Sequence, residues 1–157
     1  MKESHFRSEI WLPRTASQIF SFFGDARNLE IITPPWLRFE ILTQDPMEMR
    51  DGTLIDYRLR LRSIPLRWRS RIEVWEPPRR FIDIQVKGPY RRWHHEHVFE
   101  PRNNGTLCID HVRYAVLGGL LVDRLFVRRD VAKIFEFRRK RLLELFQGDA
   151  ERSLNGE

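Results

Sequence analysis

Cysteine is almost missing from this chain: Cys108 is the one thiol in 157 residues. That count excludes an intramolecular disulfide and every multi-cysteine zinc pattern, and it fits a reducing compartment. Long apolar runs are missing too. The longest, Ala115 to Val122, is broken by Gly118 and Gly119 and falls far short of the roughly 20 residues a membrane-spanning helix needs. Serine and glycine spacing offers neither a strained nucleophile turn nor a phosphate-cradling loop. Internal repeats and low-complexity tracts are absent. Met1 to Arg7 has no apolar core of the kind a secretory signal carries, so cytoplasmic residence is the expectation.

Acid is in deficit, with 22 Asp and Glu against 28 Lys and Arg and a formal charge of +6. Such a field favours an anionic partner, whether nucleic acid, acidic lipid or an acidic small molecule. What remains is a chain that is 41% hydrophobic and 157 residues long. That length suits one domain, able to bury on the order of two thirds of its unfolded surface without disulfides or a structural metal. The expected division is a single domain over residues 1–147 and a polar tail over 148–157.

Phe6, Ser8, Ile10 and Leu12 alternate with charged neighbours as a half-buried strand does. Thr15 or Ser17 can cap a short helix carrying Ile19, Phe20, Phe22 and Phe23. A second short helix is expected over Ala26 to Ile32, stopped by Thr33-Pro34-Pro35. From Phe39 to Val116 the pattern is six strands: Phe39 to Thr43, Thr53 to Arg62, Leu66 to Trp75, Arg80 to Lys87, Tyr90 to Glu100 and Thr106 to Val116. Asp51-Gly52, Ser63-Ile64-Pro65, Pro77-Pro78, Gly88-Pro89 and Asn103-Asn104-Gly105 supply the breaks. Leu120 to Phe146 then reads as one long helix, with Gly148 as its stop. An α+β arrangement follows, a curved antiparallel seven-stranded sheet wrapped around the last helix. One helix cannot fill the concave face, so a cavity between sheet and helix is expected.

In this order of elements the chain resembles the START and Bet v 1-like helix-grip superfamily, also called SRPBCC. More closely it resembles a group of small bacterial members of the polyketide cyclase/dehydrase kind. That likeness is carried by Asp25-Ala26-Arg27-Asn28-Leu29 with Thr33-Pro34-Pro35, by Ile64-Pro65 followed by Trp68, and by Phe81 to Tyr90 leading into Trp93-His94-His95-Glu96-His97-Val98-Phe99. The resemblance implies binding of a hydrophobic or amphipathic small molecule (a lipid, quinone or polyketide-like compound) in the central cavity, sometimes with catalysis added. The superfamily shares no catalytic motif, so no active-site residue carries over.

The densest chemistry is His94-His95-Glu96-His97 on an expected strand. Alternation puts Trp93, His95, His97 and Phe99 on one face, and their aromatic ends place that face toward the cavity. Phe81, Asp83 and Gln85 form a similar row on the preceding strand, as do Cys108, Asp110, Val112 and Tyr114 on the following one. With all three rows inward, Asp83, Gln85, His95, His97, Asp110 and Tyr114 meet a ligand beside Trp68 and Trp93. The alternative register turns Ile82, Ile84 and Val86 inward instead. His95, His97, Asp83 and Asp110 are the candidates for proton transfer. Two imidazoles and a carboxylate can also hold zinc or iron, but a hydrogen-bonded network of histidines and carboxylates is the preferred reading; no metal and no cofactor is assigned. Cys108 reads as an inert buried thiol.

Arg138, four residues after Ile134 and four before Leu142, falls on the apolar stripe of the last helix. Buried there it needs an acid, with Asp83 or Asp110 the candidates; otherwise it snorkels to water. Arg58, Arg60 and Arg62, then Arg67, Arg69 and Arg71, alternate on two strands and should form a ladder on the convex face. An ordinary solvated sheet face is the leading reading of that ladder, and a peripheral contact with an anionic membrane is the alternative. No aromatic stacking row or RNA signature accompanies it, which argues against nucleic acid. A hydrophobic-ligand binder thus comes first, a cyclase/dehydratase with a cavity histidine as general base second, and an adaptor for anionic surfaces third. Nothing chooses between monomer and homodimer.

Overall fold

Side-chain alternation sets the first element. In the computed structural model, which describes the backbone of residues 2–155 and the side chains of residues 2–147, β1 (Ser4–Leu12) buries Ser4, Ile10 and Leu12 and exposes His5, Arg7, Glu9 and Trp11. Thr15 then starts α1 (Ala16–Gly24). Its hydroxyl accepts from the Gln18 N–H at 3.2 Å, and the Gln18 side chain accepts from the Thr15 N–H at 3.1 Å. This reciprocal cap satisfies two donors the first turn leaves open. Ala16, Ile19, Phe20 and Phe23 face the core. The expected second helix is a 3-10 turn (Ala26–Asn28) running into α2 (Leu29–Ile32), ended as read by the extended Thr33 before Pro34.

Six strands follow: β2 (Glu40–Ile41), β3 (Leu54–Leu61), β4 (Ile64–Glu76), β5 (Arg80–Lys87), β6 (Arg92–Arg102) and β7 (Gly105–Ala115). They form a seven-stranded antiparallel sheet with β1, in the order β1-β7-β6-β5-β4-β3-β2. Register shifts interrupt the β4–β5 pairing, with an extra β5 residue opposite Arg69/Ser70 and an extra β4 residue between Ile72 and Val74, and such extra residues increase local twist. The curved sheet closes around the last helical run.

Three expectations are corrected. The β3–β4 turn is Arg62-Ser63, with φ of 48° and 67°, and not Ser63 to Pro65. Two left-handed residues match the twist of a tight hairpin. Pro65 is tolerated inside β4 because that end of the strand lies beyond its pairing with β5, which begins at Arg69. The final helix is not uniform: α3 (Gly119–Val122) passes through a π-helical turn (Asp123–Val127) into α4 (Arg128–Asn155). Finally, the backbone stays helical through Gly148, since glycine stops a helix only where it adopts the left-handed conformation. Residues 148–155 therefore extend α4; the side chains of the expected tail, and residues 156 and 157, lie outside the described residues.

Val131, Phe135 and Leu142 of α4 are buried against the concave face. The core has two ends. Phe20, Phe23, Phe81 and Phe99 fill one with Ile72 and Leu142, whereas Trp68, Trp93, Tyr90 and Tyr114 crowd the other. No helix among the described residues is long and apolar enough to cross a membrane.

Candidate functional site

Strand β6 does what its alternation requires: His95 and His97 are each 4% exposed and point inward, and Phe99 follows them. Asp83 on β5 stands opposite His95, and Asp110 on β7 stands opposite His97. The polar-inward register of β5 is therefore the observed one.

Hydrogen bonds among these four side chains run diagonally to the strand pairing. His95 Nε2 meets Asp110 Oδ1 at 2.7 Å, and His97 Nε2 meets Asp83 Oδ2 at 2.8 Å. The other ring nitrogens face the opposite carboxylates: His97 Nδ1 lies 3.2 Å from Asp110 Oδ1, close enough for charge attraction but not aligned for a hydrogen bond, and His95 Nδ1 lies 3.8 Å from Asp83 Oδ2. The two imidazoles stack with centroids 3.6 Å apart, and Phe81 stacks on the far side of His97 at 4.0 Å. Phe135 and Trp93 meet His95 edge-on. The rings are thus clamped by aromatic faces as well as by carboxylates.

Electrostatics divides the four groups. Burial alone would raise both carboxyls, but the His97 hydrogen bond together with the charges of His95, His97 and Arg138 holds Asp83 below its usual range. The His95 hydrogen bond and the close approach of His97 hold Asp110 far below its own. Burial and the neighbouring His97 charge push His95 down to about 4. In His97 burial acts the same way, but Asp110 and Asp83 more than offset it and its pKa is raised. The shifts thus bias Asp83 and Asp110 toward the carboxylate, His97 toward the imidazolium and His95 toward the neutral imidazole.

A cavity of about 150 Å³ opens over this wall, with Asp83, His95 and His97 among its lining residues. Trp68 and Trp93 line it as expected, and so does Arg138. The expected ion pair of Arg138 with Asp83 or Asp110 is not formed. Its guanidinium lies over the Phe135 ring at 5.0 Å, while Nε and Nη1 are buried without a hydrogen-bond partner among the described residues. The physical reason is prior occupancy: His97 engages Asp83, and Asp110 sits behind the histidines engaged by His95.

Three further expected lining residues do other work. Gln85 clasps the β5–β6 loop: its Nε2 donates to the Tyr90 carbonyl at 2.7 Å and its Oε1 accepts from the Tyr90 N–H at 3.1 Å. Gly88 makes room for that clasp, since a Cβ there would lie 2.4 Å from Gln85 Oε1. Tyr114 points under the start of the final helix, where its hydroxyl donates to Asp123 Oδ1 at 2.7 Å. Asp110 supports the histidines from behind and does not line the cavity. Cys108 is buried, and burial pushes its thiol up to about 12, which matches an inert group.

Sequence reading missed Tyr57, Ser70 and Tyr90 as lining residues. Trp68 Nε1 donates to Ser70 Oγ at 3.0 Å, and the Tyr57 hydroxyl shares that oxygen at 3.1 Å. Alternation on β3 and β4 already turned Tyr57 and Ser70 inward and was the available signal. Parity on the expected strand from Tyr90 to Glu100 turns Tyr90 outward with His94 and Glu96; β6 begins only at Arg92, and Tyr90 lies in the loop before it, free of that alternation.

Asp83, His95 and His97 bring potential ligand atoms within 4.8 Å of one another, a donor set that suits a divalent cation. Those atoms bind each other here, and a cation would have to displace the proton between His97 and Asp83.

The arginine ladder is partly dispersed. Arg69 pairs with Asp56 through two bonds of 2.7 and 3.0 Å, and Arg58 pairs with Glu40. Arg62 leaves the convex face altogether: the left-handed turn swings it onto Asp130 of α4, with bonds of 3.0 and 3.1 Å. Arg60, Arg67 and Arg71 remain exposed and without an ion pair among the described residues.

The fold has many solved counterparts. A protein from Thermus thermophilus, TTHA0849, is 19% identical with a TM-score of 0.64, covering 90% of this chain and 99% of that one. The ZhuI aromatase/cyclase from Streptomyces sp. R1128 is 15% identical with a TM-score of 0.72, covering 98% and 96%. A nucleoside-diphosphate sugar epimerase from Corynebacterium glutamicum is 20% identical with a TM-score of 0.66 over 88% of this chain, but only 28% of that longer one. No curated protein matches the sequence at a significant level. A family model does match, over residues 12–136, so that strands β2 to β7, the inward histidines and the first half of the final helical run fall within one assignment: the chain belongs to the polyketide cyclase/dehydrase and lipid transport family of the SRPBCC superfamily.

Proposed function

We propose that the protein binds a small amphipathic molecule in the cavity between sheet and α4, with an acceptor oxygen of the ligand on Arg138. The observation that carries this reading is the pair of buried nitrogens of Arg138, unpartnered among the described residues, in a chamber whose polar wall of Asp83, His95 and His97 is already bonded within itself. A buried donor without an acceptor costs roughly 1–3 kcal/mol, more when charged, and a carboxylate, phenolate or polarised carbonyl on the ligand removes that cost. The charge of Asp83, which interacts with that of Arg138, helps retain Arg138 inside while its hydrogen bonds stay open.

Size narrows the ligand. A volume of about 150 Å³ is near that of cavities known to take one benzene ring. It lies below the roughly 300–1,000 Å³ common for drug-sized ligands. The chamber therefore suits one ring or a short acyl chain; a larger quinone or polyketide would require Leu37, Leu61 and Ile134 to part toward the adjoining hollow, which they also line.

Trp68 and Trp93 give the test its signal. Monocyclic aromatic acids should quench tryptophan fluorescence saturably and more tightly than their methyl esters, and Arg138→Gln should abolish that preference. No saturable response, or equal affinity of acid and ester, would sink the reading.

The second reading, an enzyme of the cyclase or dehydratase type, draws on His95. Its Nε2 is fixed by Asp110, which leaves Nδ1 toward Asp83 at 3.8 Å. Its lowered pKa makes it a weak base, so binding ranks first. Turnover of a bound carbonyl compound, lost in His95→Gln with the fold intact, would reverse that order.

A further inference from the structure

Exposed leucines scattered singly are ordinary, but a cluster of them calls for a partner. Among the described residues, large apolar side chains stand exposed together at Leu117, Leu120, Leu121, Leu125 and Phe126, with exposures between 45% and 69%. Leu121 of α3 and Leu125 of the π-helical turn stand four residues apart, a spacing that tends to align side chains along one side of a helix, and Leu117 sits in the turn just before α3. Ile64, 61% exposed at the β3–β4 turn, adds to them. Arg62 in that same turn lies over the Phe126 ring at 5.1 Å, which joins turn and helix into one surface.

The charge around this surface has one sign. Arg124, Arg128, Arg129 and Lys133 are exposed along it. Both acids of the segment are withdrawn. Asp123 is 1% exposed, accepts from Ser4 and Tyr114 beneath the helix and pairs with Arg128 at 3.3 Å, and Asp130 is occupied by Arg62, which leaves Arg124, Arg129 and Lys133 without an ion pair among the described residues. Those bonds also anchor the segment to β1 and β7, while Gly118 and Gly119, with φ of 88° and 68°, turn the chain from β7 into α3.

We infer that the 117–133 segment, with the β3–β4 turn, docks on an anionic lipid bilayer. Leucines and Phe126 would enter the headgroup boundary, and the arginines and Lys133 would meet lipid phosphates. Apolar side chains ringed by cations are what an interfacial helix requires. A two-fold contact between copies would instead set these arginines against one another. The face borders the outer hollow through Arg62 and Lys133, but its docking does not depend on a cavity ligand.

Cosedimentation of the full chain with vesicles tests this. Vesicles of phosphatidylcholine containing about one third phosphatidylglycerol should bind the protein, pure phosphatidylcholine should not, and binding should weaken steeply as salt rises toward about 0.5 M. Leu121→Glu with Leu125→Glu should lower partitioning about tenfold or more, and Leu121→Ser with Leu125→Ser, which adds no negative charge, should lower it in the same direction. Both leucines are exposed, so thermal melts of the variants should match the wild type. Arg60→Glu with Arg67→Glu on the convex face should leave binding unchanged. Absence of vesicle binding, or binding lost with Arg60 and Arg67 but not with the leucines, overturns the inference. A dimer seen by light scattering and dissolved by the leucine changes also overturns it, since the face then belongs to a second copy.

Discussion

Charged residues alternate along strands on both faces of this sheet, and the two faces use them differently. On the concave side Asp83, His95, His97 and Asp110 are locked together under aromatic rings, with each carboxylate engaged by a histidine. On the convex side Arg58 and Arg69 pair with Glu40 and Asp56, while Arg60, Arg67 and Arg71 have no ion pair among the described residues. One pattern, polar at every second residue, thus yields two energetic regimes. Solvent screens the outer pairs so that they contribute little, whereas a buried group that loses its partner leaves a charge with nothing to offset it.

Removing Asp110 should break the contrast most forcefully. Asp110→Ala strips His95 of its acceptor and His97 of a compensating charge, and should cost about 3–5 kcal/mol in urea unfolding. Asp110→Asn keeps an acceptor for His95 and should lose less. A loss in Asp110→Ala no larger than that of a surface variant would show that the inner network is not under the stress assigned to it.

Acid should act next, because the concave groups titrate together. The lowered His95 pKa means the unfolded chain binds more protons between about 4 and the ordinary histidine value of 6.5. Stability from His95 is therefore complete above 6.5 and declines as pH falls through that window, with the lowered Asp83 and Asp110 adding to the loss at stronger acidity. His97 works in the other direction: its raised pKa contributes stability that is complete below 6.5 and is lost as pH rises through its folded value. Urea midpoints should pass through a maximum and fall on both sides, and His97→Gln should flatten the alkaline side. Unchanged curvature in that variant would remove His97 as its source.

The smallest effect is expected outside. Arg58→Ala interrupts an exposed pair with Glu40, and its urea midpoint should match the wild type at moderate salt. A clear loss there would mean that the convex face is more coupled than its exposure implies.

Much of the site was legible because strands obey a period of two. His95, His97 and Phe99 turned inward together, and once aromatic residues fixed one of them the rest followed. Asp83 was open to two registers, and only its pairing opposite His95 decided between them. Gln85 and Tyr114 obeyed the same alternation and still left the cavity. Each found a nearer partner, the Tyr90 backbone and Asp123, that no periodicity encodes. Arg138 fell on the stripe its spacing required, but its missing acid partner followed from competition among four side chains on three strands.

The order of elements, the inward row of β6, the cap at Thr15 and the absence of a disulfide could all be had from the amino-acid order, since each depends on residues near one another in the chain or on a simple count. Which carboxylate meets which histidine, why Arg138 keeps unpartnered nitrogens among the described residues, and how Arg62 comes to lie on Asp130 and over Phe126 were settled in three dimensions. Those outcomes rest on distances between residues far apart in sequence, and a chain read in one dimension carries the candidates for such contacts without the geometry that selects among them.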